Sequence, residues 1–392
     1  MLDYIYQYAD FGWNGLTDFI LPFLIILSIL VFVHEWGHFV MARKFGVKAE
    51  EFGFGFPPRA LGIYKNKNNK WKIVRGSKKV EDAIDTVYSV NWIPLGGFVK
   101  IKGEDGDSGA EEDSFAHKKI WKRVIILSAG VSMNIVLAMV LISIGLMLGL
   151  PHSADGDFGD KAKISDESIT ITYVAPETPA LESGIKMGDV LLSINDQKFA
   201  SIEEVEEFTE TKEGEKLSYE IKRGKEVFSL EATPKNIGGE EKNIGIGIGI
   251  SETVKVSYPW YIAIWQGIKQ TFFLLGAIVL AFFGLIKGLI MGQGVGGEIG
   301  GPVKIAELTG QFADLGIAQL LQFTALISVN LAVINFLPIP ALDGGRVLFL
   351  IIEKIKGSPV KKEIEAVVHN IAFILLIILI VIVTFNDIVN LL

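Results

Sequence analysis

Five consecutive residues near the N-terminus carry the types needed for metal chemistry. His34, Glu35, Trp36, Gly37 and His38 spell H-E-W-G-H. Two His at i and i+4 on a helix stand about 40° apart around the axis and about 6 Å apart along it, so both imidazoles can reach one ion. The Glu that follows the first His points near the same ion and can take a proton from water. The motif lies inside the apolar run F-L-I-I-L-S-I-L-V-F-V-H-E-W-G-H-F-V-M. A charge at that depth in a bilayer costs about 2.5–3.5 kcal/mol or more, so three polar residues there point to function.

A catalytic zinc takes three protein ligands and keeps one position open. Asp343, in N-F-L-P-I-P-A-L-D-G-G (Asn335–Gly345), is the candidate third ligand. Its segment is apolar, and Pro338 and Pro340 break the helix ahead of it. Alone, Asp343 reads equally well as a cap on the next helix. The His pair and the topology favour the ligand reading. His117, His152 and His369 fall outside any ligand pattern.

These residues need a membrane frame. Half of the 392 residues are hydrophobic, and the apolar ones are bunched. Four segments, about 18–41, 120–150, 318–337 and 367–385, reach the roughly 20 apolar residues a crossing needs. The expected fold is a polytopic α-helical membrane protein with four transmembrane helices. A fifth stretch, 260–291, is too short for two crossings. One crossing would put Asp343 on the opposite side from His34. It is therefore expected to lie in the interface or to re-enter, as Lys269, Lys287, Trp260, Tyr261 and Trp265 suit.

Charge sets the sidedness. The first basic residue is Arg43, after the first apolar segment, and this also excludes a cleavable signal peptide. Residues 43–123 hold 17 Lys+Arg against 11 Asp+Glu, while 151–260 hold 12 against 22. The basic stretch reads as cytoplasmic, and so does the cluster Lys354, Lys356, Lys361 and Lys362. Both termini and the acidic stretch then lie outside. The net charge of −8 argues against nucleic-acid binding. With no Cys, disulfides and thiolate chemistry are excluded.

Residues 165–255 predict a small β-rich domain. Ser168–Val174, Lys216–Lys222 and Glu226–Leu230 alternate as strands do, with a turn at Arg223-Gly224-Lys225. Ile202–Thr209 predicts a short helix, and Gly245–Gly249 a strand. Pro176–Asn195 resembles the PDZ stretch A-x-x-A-G-L-x-x-G-D-x-I-x-x-I-N, which makes this an inserted α+β PDZ-like domain. In the basic loop, Tyr88–Gly103 predicts two short strands around P-L-G-G, with Gly53–Pro57 in the same region. A helical substrate must unwind before cleavage, and a strand edge could accept it by β-augmentation. The acidic run Glu104–Asp113 reads as a solvated turn and the glycine-rich Gly292–Gly301 as a bend.

Together, H-E-x-x-H, N-x-x-P-x-x-x-L-D-G and the PDZ-like insert resemble the site-2 protease family, nearest to the bacterial regulator-of-sigma-E proteases. The resemblance implies zinc held by His34, His38 and Asp343, with Glu35 activating water. It implies supporting roles for Asn335, and for Asn134 in G-V-S-M-N (Gly130–Asn134), where the family often has G-P-x-x-N. Tyr88–Gly103 resembles the membrane-associated β-hairpin of this family, which places Gly96 and Gly97 in contact with substrate. It also implies a bacterial cytoplasmic-membrane enzyme. Its partners would be the lipid bilayer and membrane-spanning substrates such as anti-sigma factors or remnant signal peptides, with peptide contacts through the PDZ-like domain. The expected parts are a membrane core at 1–150, the PDZ-like domain at 165–255, an interfacial or re-entrant segment at 256–317, and a second membrane core at 318–392. Two rival classes are a non-catalytic PDZ scaffold and a metal transporter. Intact motifs argue against the first, and the lack of an internal repeat against the second.

Overall fold

Helix α1 (Leu21–Lys44) is mostly apolar, carries Pro22 in its first turn and ends with Arg43 and Lys44 in its last turn. Pro suits a first turn and cations suit a last one, so the ends are set locally. A computed structural model describes residues 19–78, 80–104, 111–224, 226–238, 243–292 and 300–391. Residues 1–18, most of the Gly292–Gly301 bend, the middle of the Glu104–Asp113 run and Lys225 of the expected turn lie outside these. The described residues divide into two compact units.

The first unit holds α1, a sheet of β1 (Ala49–Lys65), β2 (Trp71–Arg75) and β3 (Val87–Ile101), and most of α2 (Ile120–Leu148). It also holds most of α5 (Trp260–Ile290) and α7 (Ile317–Phe336), with all of α8 (Asp343–Lys356) and α9 (Lys362–Leu391). β1 and β3 are long, bent strands. Phe52 is opposed by Val99 on one side and Tyr88 on the other, and Leu61 by Val90. The first half of β1 therefore lies between the two halves of β3. β3 bends at Pro94-Leu95-Gly96-Gly97, where Gly96 has φ +67°. A Cβ there would lie 2.6 Å from the Val31 side chain, so only glycine closes the bend against α1.

The second unit is a six-stranded antiparallel sheet. Its order is β4 (Leu150–Ser153), β11 (Ile248–Ser257), β5 (Lys163–Val174), β6 (Val190–Ile194), β7 (Leu217–Arg223) and β8 (Glu226–Ala232). Helices α3 (Pro179–Glu182) and α4 (Ile202–Glu210) join it, and β9 (Lys235–Asn236) pairs with β10 (Ile244–Gly245). Ile171, Ile185, Ile194, Leu217, Tyr219 and Ile221 form its core. β4 pairs with β11, so the sheet reaches beyond 165–255 on both sides. The strand expected over Gly245–Gly249 is interrupted. Gly247 has φ +85°, and a Cβ there would lie 2.4 Å from Thr178, so the chain kinks between β10 and β11.

Among the described residues, five helices, including α5, are long and apolar enough to cross a membrane. α5 and α9 leave nearly all of that surface uncovered, with only 11% and 6% of their windows buried, so their apolar faces need lipid. α5 is one unbroken 31-residue helix, about 46 Å long. No Pro interrupts it, and Gly276 and Gly284 face open space without bending it. α7 runs antiparallel to α2. Ser328 Oγ donates to Asn134 O at mid-helix, and a Cβ on Gly145 would lie 3.6 Å from Ala318 O. The chain between α2 and α7 thus returns to the end at which α2 finished. At that return, Asp387 of α9 accepts N–H bonds from Gly301 (3.0 Å) and Lys304 (3.1 Å). It satisfies the free donors that open α6 (Pro302–Leu315).

Candidate metal centre

His34 and His38 project from one face of α1, and both are buried. α1 and α2 approach closely there because their facing residues are small. A Cβ on Gly37 would lie 2.4 Å from Ala129 O, and one on Gly130 would lie 2.4 Å from His38 Nε2 and 2.7 Å from His34 Nε2. Gly130 therefore leaves the volume that the two imidazoles face.

Three ligand-type atoms converge. His34 Nε2 lies 2.9 Å from Asp343 Oδ2, His38 Nε2 lies 3.3 Å from the same oxygen, and the two Nε2 atoms are 3.1 Å apart. Zinc bonds of about 2.0–2.1 Å set tetrahedral edges of about 3.3 Å, so this triangle is a slightly contracted face of such a site. His34, His38 and Asp343 are also the one group of His and acidic residues with metal-ligand spacing among the described residues.

The far ring nitrogens are held from behind. His38 Nδ1 donates to Ile126 O at 2.8 Å, which leaves the Nε2 lone pair for the centre. His34 Nδ1 faces the Asn134 amide at 3.3 Å, while Asn134 Oδ1 is buried without a partner. Amide orientation follows the hydrogen-bond network. With the amide turned over, Oδ1 accepts His34 Nδ1–H and His34 Nε2 too is free for a metal. The donor set and its backing fit a zinc ion.

Glu35 reaches the sheet: the Val99 N–H donates to its Oε2 at 3.2 Å. Val99 pairs with β1 on one edge, so the second half of β3 turns its other edge to Glu35. The bend before it is docked on α1, where Ser28 Oγ donates to Pro94 O (3.0 Å) and accepts Gly96 N–H (3.2 Å). A Cβ on Gly97 would lie 3.0 Å from Gly53 O. Gly96 and Gly97 thus shape the bend of β3, whose two halves flank β1 instead of pairing with each other as the expected hairpin, and the ligand triangle lies elsewhere. Asn335 is half-buried on the last turn of α7 and makes no hydrogen bond to the triangle. Ser28 and Val99 escaped the sequence reading. A lone hydroxyl in an apolar run signals Ser28, whereas Val99 acts through its main chain and leaves no signal. His369, outside any ligand pattern, accepts Ala341 N–H at 2.7 Å, two residues before Asp343.

Residues 22–75 and 78–379 match the family model for Peptidase family M50. The zinc metalloprotease RasP of Geobacillus kaustophilus is 29% identical over 448 residues, covering 94% of this chain and 97% of that protein. The regulator of sigma-W protease RasP of Bacillus subtilis is 28% identical over 453 residues, covering 94% and 98%. Among solved structures, the PDZ domain of an SdrC-like protein from Listeria monocytogenes is 21% identical, covers 22% of this chain and 92% of that one, and has a TM-score of 0.21. With the family model matched along almost its whole length, the chain belongs to Peptidase family M50.

Proposed function

We propose that this zinc metalloprotease cleaves single-span membrane proteins within or beside their transmembrane helices, in regulated intramembrane proteolysis. The observation that carries this is the triangle of His34, His38 and Asp343, with edges of 2.9–3.3 Å, set among membrane-length apolar helices. Those three residues would hold the metal. Zinc, when bound, supplies Lewis-acid polarisation of the scissile carbonyl and a water acidic enough to attack it.

The other roles belong to the chain. Glu35 takes the proton of the attacking water on its carboxylate and delivers it to the leaving amine. The Val99 N–H holds that carboxylate in place. Ile126 O and Asn134 orient the two imidazoles. The free edge of β3 beside Glu35 accepts the unwound substrate as an added strand, with Gly96 and Gly97 setting the bend that presents it. Asn335 supports substrate binding near the Pro338 break.

Charge asymmetry supports a multi-pass protein of a bacterial cytoplasmic membrane, with the active site toward the cytoplasm and a PDZ-like domain outside. The antiparallel run of α2 and α7 supports four net crossings, with α5 in the interface. The PDZ-like domain admits substrates already trimmed by another protease. The name of the Bacillus relative favours anti-sigma factors as substrates. The test is to purify the full chain, measure its zinc, and follow a single-span reporter with and without Glu35→Gln. Cleavage by the native chain alone supports the reading. Zinc without cleavage in either form would leave only a metal-binding scaffold.

A further inference from the structure

We infer that His369 is a positioning residue for Asp343, an inference that rests on Asp343 being a metal ligand. Asp343 opens α8 directly after a loop, and its N-cap residue, Leu342, contributes no side-chain cap. The loop is tight on one side. A Cβ on Gly344 would lie 2.3 Å from the carbonyl oxygens of both Phe336 and Leu337. On the other side the contact comes from α9. His369 Nδ1 accepts the N–H of Ala341 at 2.7 Å.

Ala341 has φ +80°, a left-handed conformation that alanine keeps only where its surroundings hold it. A released Ala341 would relax toward negative φ and turn the chain two residues before the ligand. The His369 ring is placed for this contact by Phe349 of α8, with centroids 5.6 Å apart. Since Ala341 donates, Nδ1 offers its lone pair and the ring proton lies on Nε2. That Nε2 is buried without a partner, so the ring is kept for its Nδ1 end. His369 thus acts toward zinc as an outer-sphere group, through the backbone of the loop that carries the carboxylate.

The test compares His369→Leu, His369→Gln and His369→Asn in the full-length protein. An Asn carbonyl oxygen lies near the place of Nδ1, whereas a Gln one lies near that of Nε2. Zinc affinity is read by competition with a graded chelator, and melting of the zinc-free protein is read alongside. Loss of such a partner weakens metal binding about 10–100-fold, so Leu and Gln should fall by at least about tenfold while Asn stays within about threefold of the native chain. The zinc-free melting temperatures should be alike. Native affinity in Leu and Gln, or an Asn variant as weak as Leu, overturns the inference. So does a lower melting point in Leu with unchanged zinc affinity. Asp343→Ala in the same assay separates the two levels. Zinc retained there overturns the ligand set, while zinc lost there but kept in His369→Leu overturns only the role of His369.

Discussion

The main-chain N–H of Val99 donates to Glu35 Oε2 across 3.2 Å, so the outer edge of a β-strand holds the one acidic residue of the H-E-W-G-H motif. Strand edge and proton acceptor are thereby in register. In the proposed reaction, a segment paired beside Val99 would pass the carboxylate that takes the proton of the attacking water.

Glu35→Gln tests this division of labour. The amide oxygen can still accept from Val99, so β3 stays docked, but the side chain no longer takes a proton. Cleavage should fall by about 10²–10⁴-fold, the range general acid–base groups supply. Zinc content, measured by atomic absorption, should match the native protein. A full loss of zinc in this variant would mean that Glu35 is a ligand instead.

Gly130→Ala adds a single methyl. Alanine favours a helix by about 1 kcal/mol over glycine, so α2 itself gains. Yet that methyl would sit 2.4 Å from His38 Nε2 and 2.7 Å from His34 Nε2. The variant should fold and melt like the native chain while its zinc becomes substoichiometric and its activity is lost. Undiminished zinc would show that the imidazoles can shift aside.

The geometry of the candidate site was legible where spacing alone decides it. His34 and His38 are one helical turn apart, and their Nε2 atoms lie 3.1 Å from each other. Asp343 needed more, because its loop could equally have capped α8. Only long-range packing brings it to His34: α7 runs against α2, and Asp343 follows the loop at its exit. α5 was harder still. Its apolar length suits a crossing, whereas the return of the chain to α2 depends on contacts of Ser328 and Ala318 that no local pattern encodes. P-L-G-G marked a bend, but the two short strands expected around it are one strand, β3, whose halves flank β1 in a long-range register. Gly245–Gly249 misled because its alternation hides a positive φ at Gly247.

Ser28→Ala probes the bend of β3 apart from the metal. The hydroxyl bridges Pro94 O and the Gly96 N–H. Its loss leaves a buried N–H unpaired, at a cost of about 1–3 kcal/mol, and frees the bend to drift from α1. Zinc should stay stoichiometric. Reporter cleavage should weaken mainly in KM, since the strand edge that accepts substrate is no longer fixed. A change in kcat at constant KM would place the bend in the chemical step instead.

The β-rich unit offers a stability test independent of zinc. Asp189 is fully buried and receives Arg223 Nε at 2.7 Å on one oxygen and Nη2 at 2.7 Å on the other. It also accepts the Lys186 N–H, while Arg223 reaches Gly184 O. Arg223→Leu strands a buried carboxylate, and breaking such a pair costs about 3–5 kcal/mol. A domain of this size loses about 4–8 °C per kcal/mol, so its melting transition should fall by at least about 12 °C. Adding Asp189→Asn removes the stranded charge and should recover part of the loss. If the double variant melts below Arg223→Leu, the cost lies in lost hydrogen bonds to the Lys186 turn, and the charge is the smaller part.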